Sequence, residues 1–116
     1  MPSTLVNKLI EKSKLSEIAK ERFGDMIKAV VDIEKAIMMV GAELHADEEA
    51  QLLEQGSRQQ DLWGINIYPE KSGEELIEFD SMINLRPSQG NLSRGVNDPA
   101  IRQKIIEIVN QLVKES

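Results

Sequence analysis

Apolar residues return at three- and four-residue steps at Leu15, Ile18, Ala19 and Phe23, which puts them on one face of a helix, and Gly24 follows as a stop. This spacing predicts an N-terminal helix ending near residue 24. Upstream, Leu5, Val6, Leu9 and Ile10 also fit a helical face, while Thr4-Leu5-Val6 serves equally well as the start of a short strand. From Met26 to Ile33 the chain is rich in β-branched residues, Glu34-Lys35 interrupts, and Ala36 to Val40 resumes the apolar run before Gly41. A β-hairpin is the economical reading, with a turn longer than two residues because neither Glu nor Lys takes positive φ cheaply. The rival is one buried helix across Met26 to Val40.

Asp47 precedes Glu48, Glu49 and Ala50, so its carboxylate suits a helix cap, with the next two acids at the positive end of the dipole. A short middle helix from Glu48 to Gln55 follows, closed by Gly56, with Leu52 and Leu53 toward the core. Leu62 to Tyr68 alternates as a strand until Pro69. Leu76 to Leu85 continues as a second, longer strand with a bulge near Ser81, and the two segments form a second hairpin. Arg86 to Asp98 is polar and full of turn formers, a loop rather than a core element. Asp98-Pro99 then starts a C-terminal helix whose buried stripe is Ile101, Ile105, Ile108, Val109 and Leu112.

Two hairpins and three helices predict an α+β fold: a mostly antiparallel sheet of about four strands with helices packed on one face. The chain of 116 residues has the length of a single domain, 1–116, and buries about two thirds of its unfolded surface. Composition narrows the function classes. With one Trp, one Tyr and two Phe there is no stacking platform for bases, and a net charge of -6 repels phosphate backbones, which disfavours nucleic acid as a partner. The absence of cysteine excludes disulfides, thiolate metal sites and Cys nucleophiles. With no membrane-length apolar run and no signal-peptide pattern at Met1-Pro2-Ser3-Thr4, the expectation is a cytoplasmic protein without a membrane partner.

Two polar regions are candidates for chemistry. Glu43, His45 and Asp47 are spaced by two, which on extended backbone places them on one face; Glu43 and His45 are the candidate proton-transfer pair, His45 being the side chain that titrates near neutrality. Asp47 is better used as the helix cap, and no metal site is assigned. Arg86, Ser88, Gln89 and Asn91 surround a guanidinium with amide and hydroxyl donors, and Gly90 permits close approach, a set suited to a small anionic ligand. The bland alternative pairs Arg86 with an acid such as Asp32, Glu34 or Asp61 and leaves the amides to satisfy the loop's own backbone. Asp32, inside an apolar strand, is expected to face solvent. No nucleotide-binding glycine pattern and no nucleophile elbow is present, so no cofactor and no reaction type follow.

Gly41-Ala42-Glu43-Leu44-His45-Ala46-Asp47 and Asn84-Leu85-Arg86-Pro87-Ser88-Gln89-Gly90-Asn91 resemble the motifs of a small family of uncharacterised prokaryotic proteins of about this length. Val31-Asp32-Ile33-Glu34 and Asp61-Leu62-Trp63-Gly64 share in the likeness, which runs from about Leu15 to Val113. The resemblance implies a one-domain protein with no assigned activity. The expected function is binding of a small anionic ligand at the Arg86 to Asn91 loop near Glu43 and His45. The alternative is a non-catalytic homodimer that uses an exposed sheet edge or the surface of Met26, Met38, Met39 and Met82.

Overall fold

The computed structural model describes residues 3–114. In chain order its elements are β1 (Thr4–Val6), β2 (Ile10–Glu11), α1 (Lys12–Lys20), β3 (Ile27–Asp32), β4 (Ile37–Val40), α2 (His45–Glu54), β5 (Leu62–Ile67), β6 (Ile77–Glu78), α3 (Pro99–Leu112) and β7 (Val113–Lys114). Short 3-10 turns occupy Gln59–Asp61, Gly73–Glu75, Met82–Asn84 and Pro87–Gln89. The main sheet has five antiparallel strands in the order β1-β4-β3-β5-β6. β2 and β7 pair in parallel beside it, joining the two ends of the described chain.

The α+β class and the antiparallel sheet agree with the sequence expectation, and the strand count is corrected from about four to five because Thr4–Val6 pairs with β4. The hairpin of β3 and β4 forms where the β-branched runs predict it. Its turn is built by Asp32, whose Oδ1 accepts the backbone amides of Glu34 and Lys35, both at 2.9 Å, while Ala36 takes a φ of 57°. The Ser57 hydroxyl donates to the other carboxylate oxygen at 2.6 Å. Asp32 is therefore buried instead of solvent-facing, because the turn consumes its acceptors.

Helices cover both faces of the sheet, which corrects the expected single helical layer. On one face Ile27, Ala29, Val31, Trp63, Ile65 and Ile67 meet Leu15 and Ala19 of α1 and Ile105, Ile108 and Val109 of α3. On the other, Val30, Met39 and Leu62 meet Leu52 of α2, with Leu5, Ile37 and Ile83 at the margin. Every residue of β5 is buried, the signature of a strand enclosed on two sides. Adjacent apolar pairs such as Val30-Val31 and Met38-Met39 follow from the same enclosure. Met38 and Met39 are thus core residues, and of the methionines considered as a docking surface Met82 alone is exposed.

The middle helix begins at His45, three residues before the expected start, and its N-cap position is Leu44, which offers no side-chain acceptor. Asp47 is an exposed residue of the first turn and not the cap. The C-terminal helix matches expectation closely: Asp98 Oδ1 accepts the Ala100 amide at 2.8 Å and Pro99 opens the first turn. The second hairpin is shorter than predicted. β6 pairs with β5 only at Asn66 and Ile67, after which the chain leaves the sheet at a 3-10 turn. Among the described residues no helix is long and apolar enough to cross a membrane.

Candidate functional site

Beyond β6, the outer edge of β5 is finished by side chains. Asn84 acts as a substitute strand: its Oδ1 accepts the Gly64 amide at 2.8 Å and its Nδ2 donates to the Gly64 carbonyl at 2.9 Å. One step along, Arg86 Nη2 donates to the Leu62 carbonyl. The guanidinium also donates to the carbonyls of Ile83 at 2.9 Å and Gln59 at 2.8 Å, lies 4.6 Å from the Trp63 ring centre and pairs with Glu49 at 3.7 Å. Burial lowers the pKa of Arg86 and Glu49 raises it again. Gly64 admits this arrangement because a Cβ there would stand 2.6 Å from Ser81.

The loop that follows closes on itself. Arg86 and Asn91 exchange both backbone hydrogen bonds, Pro87–Gln89 makes one 3-10 turn, and Gly90 supplies the left-handed residue at φ 79°. Asn91 Nδ2 donates to the carbonyls of Asn84, Ser93 and Gly95, and its Oδ1 accepts the Asn97 amide at 2.8 Å. Gln89 bridges Arg86 and the Gln60 carbonyl, and Ser88 is exposed. Of the residues assigned to an anion, Arg86 and Asn91 thus spend their donors on backbone carbonyls. The partner acid of Arg86 is Glu49, not Asp32, Glu34 or Asp61.

Glu43 and His45 are not brought together. Glu43 is exposed and pairs with Arg22 at 3.4 Å. His45 is buried, and its Nε2 lies 2.7 Å from the Ile65 carbonyl, a contact that requires the N–H tautomer at that nitrogen. Burial lowers its pKa, Lys28 and Arg94 lower it further, and the Ile65 carbonyl and Asp80 oppose them, so the ring is neutral at pH 7. The two-residue spacing placed Glu43 and His45 on one face only for extended backbone; the helix starts at His45 and separates them.

The residue beside His45 is instead Glu48, one helical turn along α2. It is fully buried; its Oε2 accepts the Ala42 amide at 3.0 Å, while Oε1 has no hydrogen-bond partner among the described residues. Burial raises its pKa to about 9 against the pull of the Ala42 amide and Lys28, so the carboxyl is protonated at neutral pH. Under this helix the sheet presents a polar row, because the register aligns Lys28 with Asn66 and Asn66 with Glu78. Asn66 Nδ2 donates to Glu78 at 2.9 Å and reaches the Asp80 carbonyl at 3.4 Å, leaving its buried Oδ1 unpartnered. Tyr68 donates to the same Glu78 oxygen at 3.1 Å; burial and this bond raise its pKa. Arg94 Nε donates to Asp80 at 2.6 Å at the rim.

Lys28, Glu48 and Asp80 are not singled out in the sequence, where Glu48 reads as a dipole residue. A signal was present: Glu48 follows His45 by three, the spacing of one helix face, and Lys28 and Asn66 interrupt apolar runs. Among the described residues no three His, Asp or Glu side chains come together in a way that could hold a metal ion. No curated protein and no solved structure matches the chain. A family model does, over residues 4–112, and the chain belongs to that family, DUF5674, described as proteins of unknown function.

Proposed function

We propose that this protein binds a small polar molecule on the α2 side of the sheet, where Lys28, His45, Glu48 and Asn66 lie beside Asp80 and Arg94. Four buried polar atoms have no hydrogen-bond partner among the described residues. Glu49 Oε2 and Trp63 Nε1 lie beside the Arg86 guanidinium, which still faces Glu49 Oε2 at 3.7 Å, whereas Glu48 Oε1 and Asn66 Oδ1 lie here, and these two oxygens carry the proposal. A buried polar atom left unpaired costs about 1–3 kcal/mol, so two in one polar neighbourhood mark where a bound group completes the hydrogen bonding. Asn66 Oδ1 accepts, the protonated Glu48 carboxyl donates, and Lys28 supplies positive charge. A small molecule with an anionic group and at least one N–H or O–H donor suits that set. An anion at Arg86 would instead displace the carbonyls of Gln59, Leu62 and Ile83, which is why the anionic ligand expected from the sequence is moved from the loop to this cluster.

Titration of 15N-labelled protein with single amino acids, hydroxy acids and nucleosides tests the proposal. A binding compound shifts the amide signals of Lys28, His45, Asn66 and Asp80 saturably, and Asn66→Leu abolishes the effect. Saturable shifts centred on Arg86, Ser88, Gln89 and Asn91 would return the ligand to the loop. Silence at both places across the panel would leave the two oxygens to water and end the proposal.

Met82, Leu85 and Leu92 expose apolar surface, as does Leu53 on α2, and these side chains favour the homodimer alternative. Light scattering over a dilution series checks it: a constant monomer mass removes that alternative.

A further inference from the structure

On the opposite side of the sheet, away from α2, a groove of about 530 Å³ runs between α3 and the segment containing β6. Its walls are periodic. Arg102, Ile106 and Asn110 are spaced by four along α3, one face of a helix, and Ile77 and Phe79 alternate along the strand side. The α3 row is distinct from the stripe Ile105, Ile108, Val109 and Leu112 that α3 buries against the sheet. Ile106, Ile77 and Phe79 are half-buried, so the groove has an apolar floor that is neither sealed into the core nor fully solvated. Its size is that of a small-ligand site.

The charges at its margin define what fits. The Arg102 guanidinium lies 5.2 Å from the centre of the Phe79 ring and has no acidic or hydrogen-bonding partner among the described residues. It is a cation held beside an apolar surface, on a protein whose net charge of -6 otherwise repels anions. Glu74 stands on the margin as well and disfavours a second negative charge on the ligand. We infer that this groove is a second binding site, separate from the α2-side cluster, for a small molecule with an apolar body and a single carboxylate that pairs with Arg102.

The test uses the full chain, 15N-labelled, titrated with 3-phenylpropanoate and, in parallel, with its neutral amide. The acid is expected to shift Ile77, Phe79, Arg102, Ile106 and Asn110 saturably and to bind about tenfold tighter than the amide, the worth of one charge-assisted hydrogen bond. Arg102→Gln, at an exposed position that leaves the fold intact, is expected to remove this preference while retaining the amide's affinity. Equal binding of acid and amide in the wild type, or an acid preference that survives in Arg102→Gln, overturns the assignment. So does the absence of saturable shifts along the groove with either compound. Shifts confined to Lys28, His45 and Asn66 would overturn it too while supporting the α2-side site, so the two proposals fail separately.

Discussion

Two polar regions lie close along β5 and differ in one respect. At the outer edge, Asn84, Arg86 and Asn91 have nearly every donor and acceptor matched to backbone groups. Above the sheet, His45, Glu48 and Asn66 are as deeply buried, yet two of their own oxygens are unmatched. At the edge the unmatched atoms, Glu49 Oε2 and Trp63 Nε1, belong instead to neighbours of Arg86, and Glu49 keeps the guanidinium charge at 3.7 Å. Polar residues that satisfy main-chain groups replace a missing strand and serve folding. Those left with spare capacity in a buried setting are where binding is to be sought. The conspicuous motif Asn84 to Asn91 belongs to the first kind.

If the edge residues serve folding, their removal has the larger effect on stability. Arg86→Ala leaves the carbonyls of Gln59, Leu62 and Ile83 without donors and Glu49 without its cation, and is expected to cost about 3–5 kcal/mol in urea unfolding. A loss under about 1 kcal/mol would place Arg86 back among ligand residues.

Gly64→Ala drives a methyl to 2.6 Å from Ser81 and is expected to cost about 1–3 kcal/mol. Ser81→Gly in the same chain removes the atoms it strikes and should recover part of that loss; no recovery in thermal melts would mean the edge is not packed as described.

The α2-side region should announce itself through pH. Glu48 has an ordinary pKa near 4.5 raised to about 9 on folding, so its contribution is fully present below the lower value and is lost as pH rises through the upper. His45 runs the other way: its pKa is lowered from 6.5, so its contribution is present above that value and is lost as pH falls. Glu48→Gln keeps an acceptor for the Ala42 amide and cannot ionise. At pH 8 it is expected to be more stable than the wild type by at least about 1.4 kcal/mol, with a flatter melting profile up to pH 9. Parallel profiles for the two proteins would show that Glu48 is ionised in the fold.

The smallest effect is expected at Glu43, where an exposed pair with Arg22 is all that is lost. Glu43→Gln should change stability by less than about 0.5 kcal/mol and leave the signals of His45 in place. A shift in the His45 titration would reunite the two residues.

Elements defined by neighbours in the chain were legible from the start. Asp98-Pro99 and the isoleucine stripe after it specify α3, and the β-branched runs around Glu34-Lys35 specify the β3-β4 hairpin, because capping, φ preference and side-chain period act within a few residues. The long-range arrangement was not legible. Nothing near Arg86 indicates that its guanidinium spans to Leu62 and Gln59, and the spacing of Glu43 and His45 has a meaning that depends on where α2 begins. The sequence by itself determined the α+β class, the antiparallel hairpin and the presence of two polar motifs. Tertiary structure alone decided that helices cover both faces, that one motif finishes a sheet edge, and that Glu48 replaces Glu43 beside His45. The physical reason is that burial and the identity of a hydrogen-bond partner are properties of distant segments meeting, and these separate a polar residue that supports the fold from one available to a ligand.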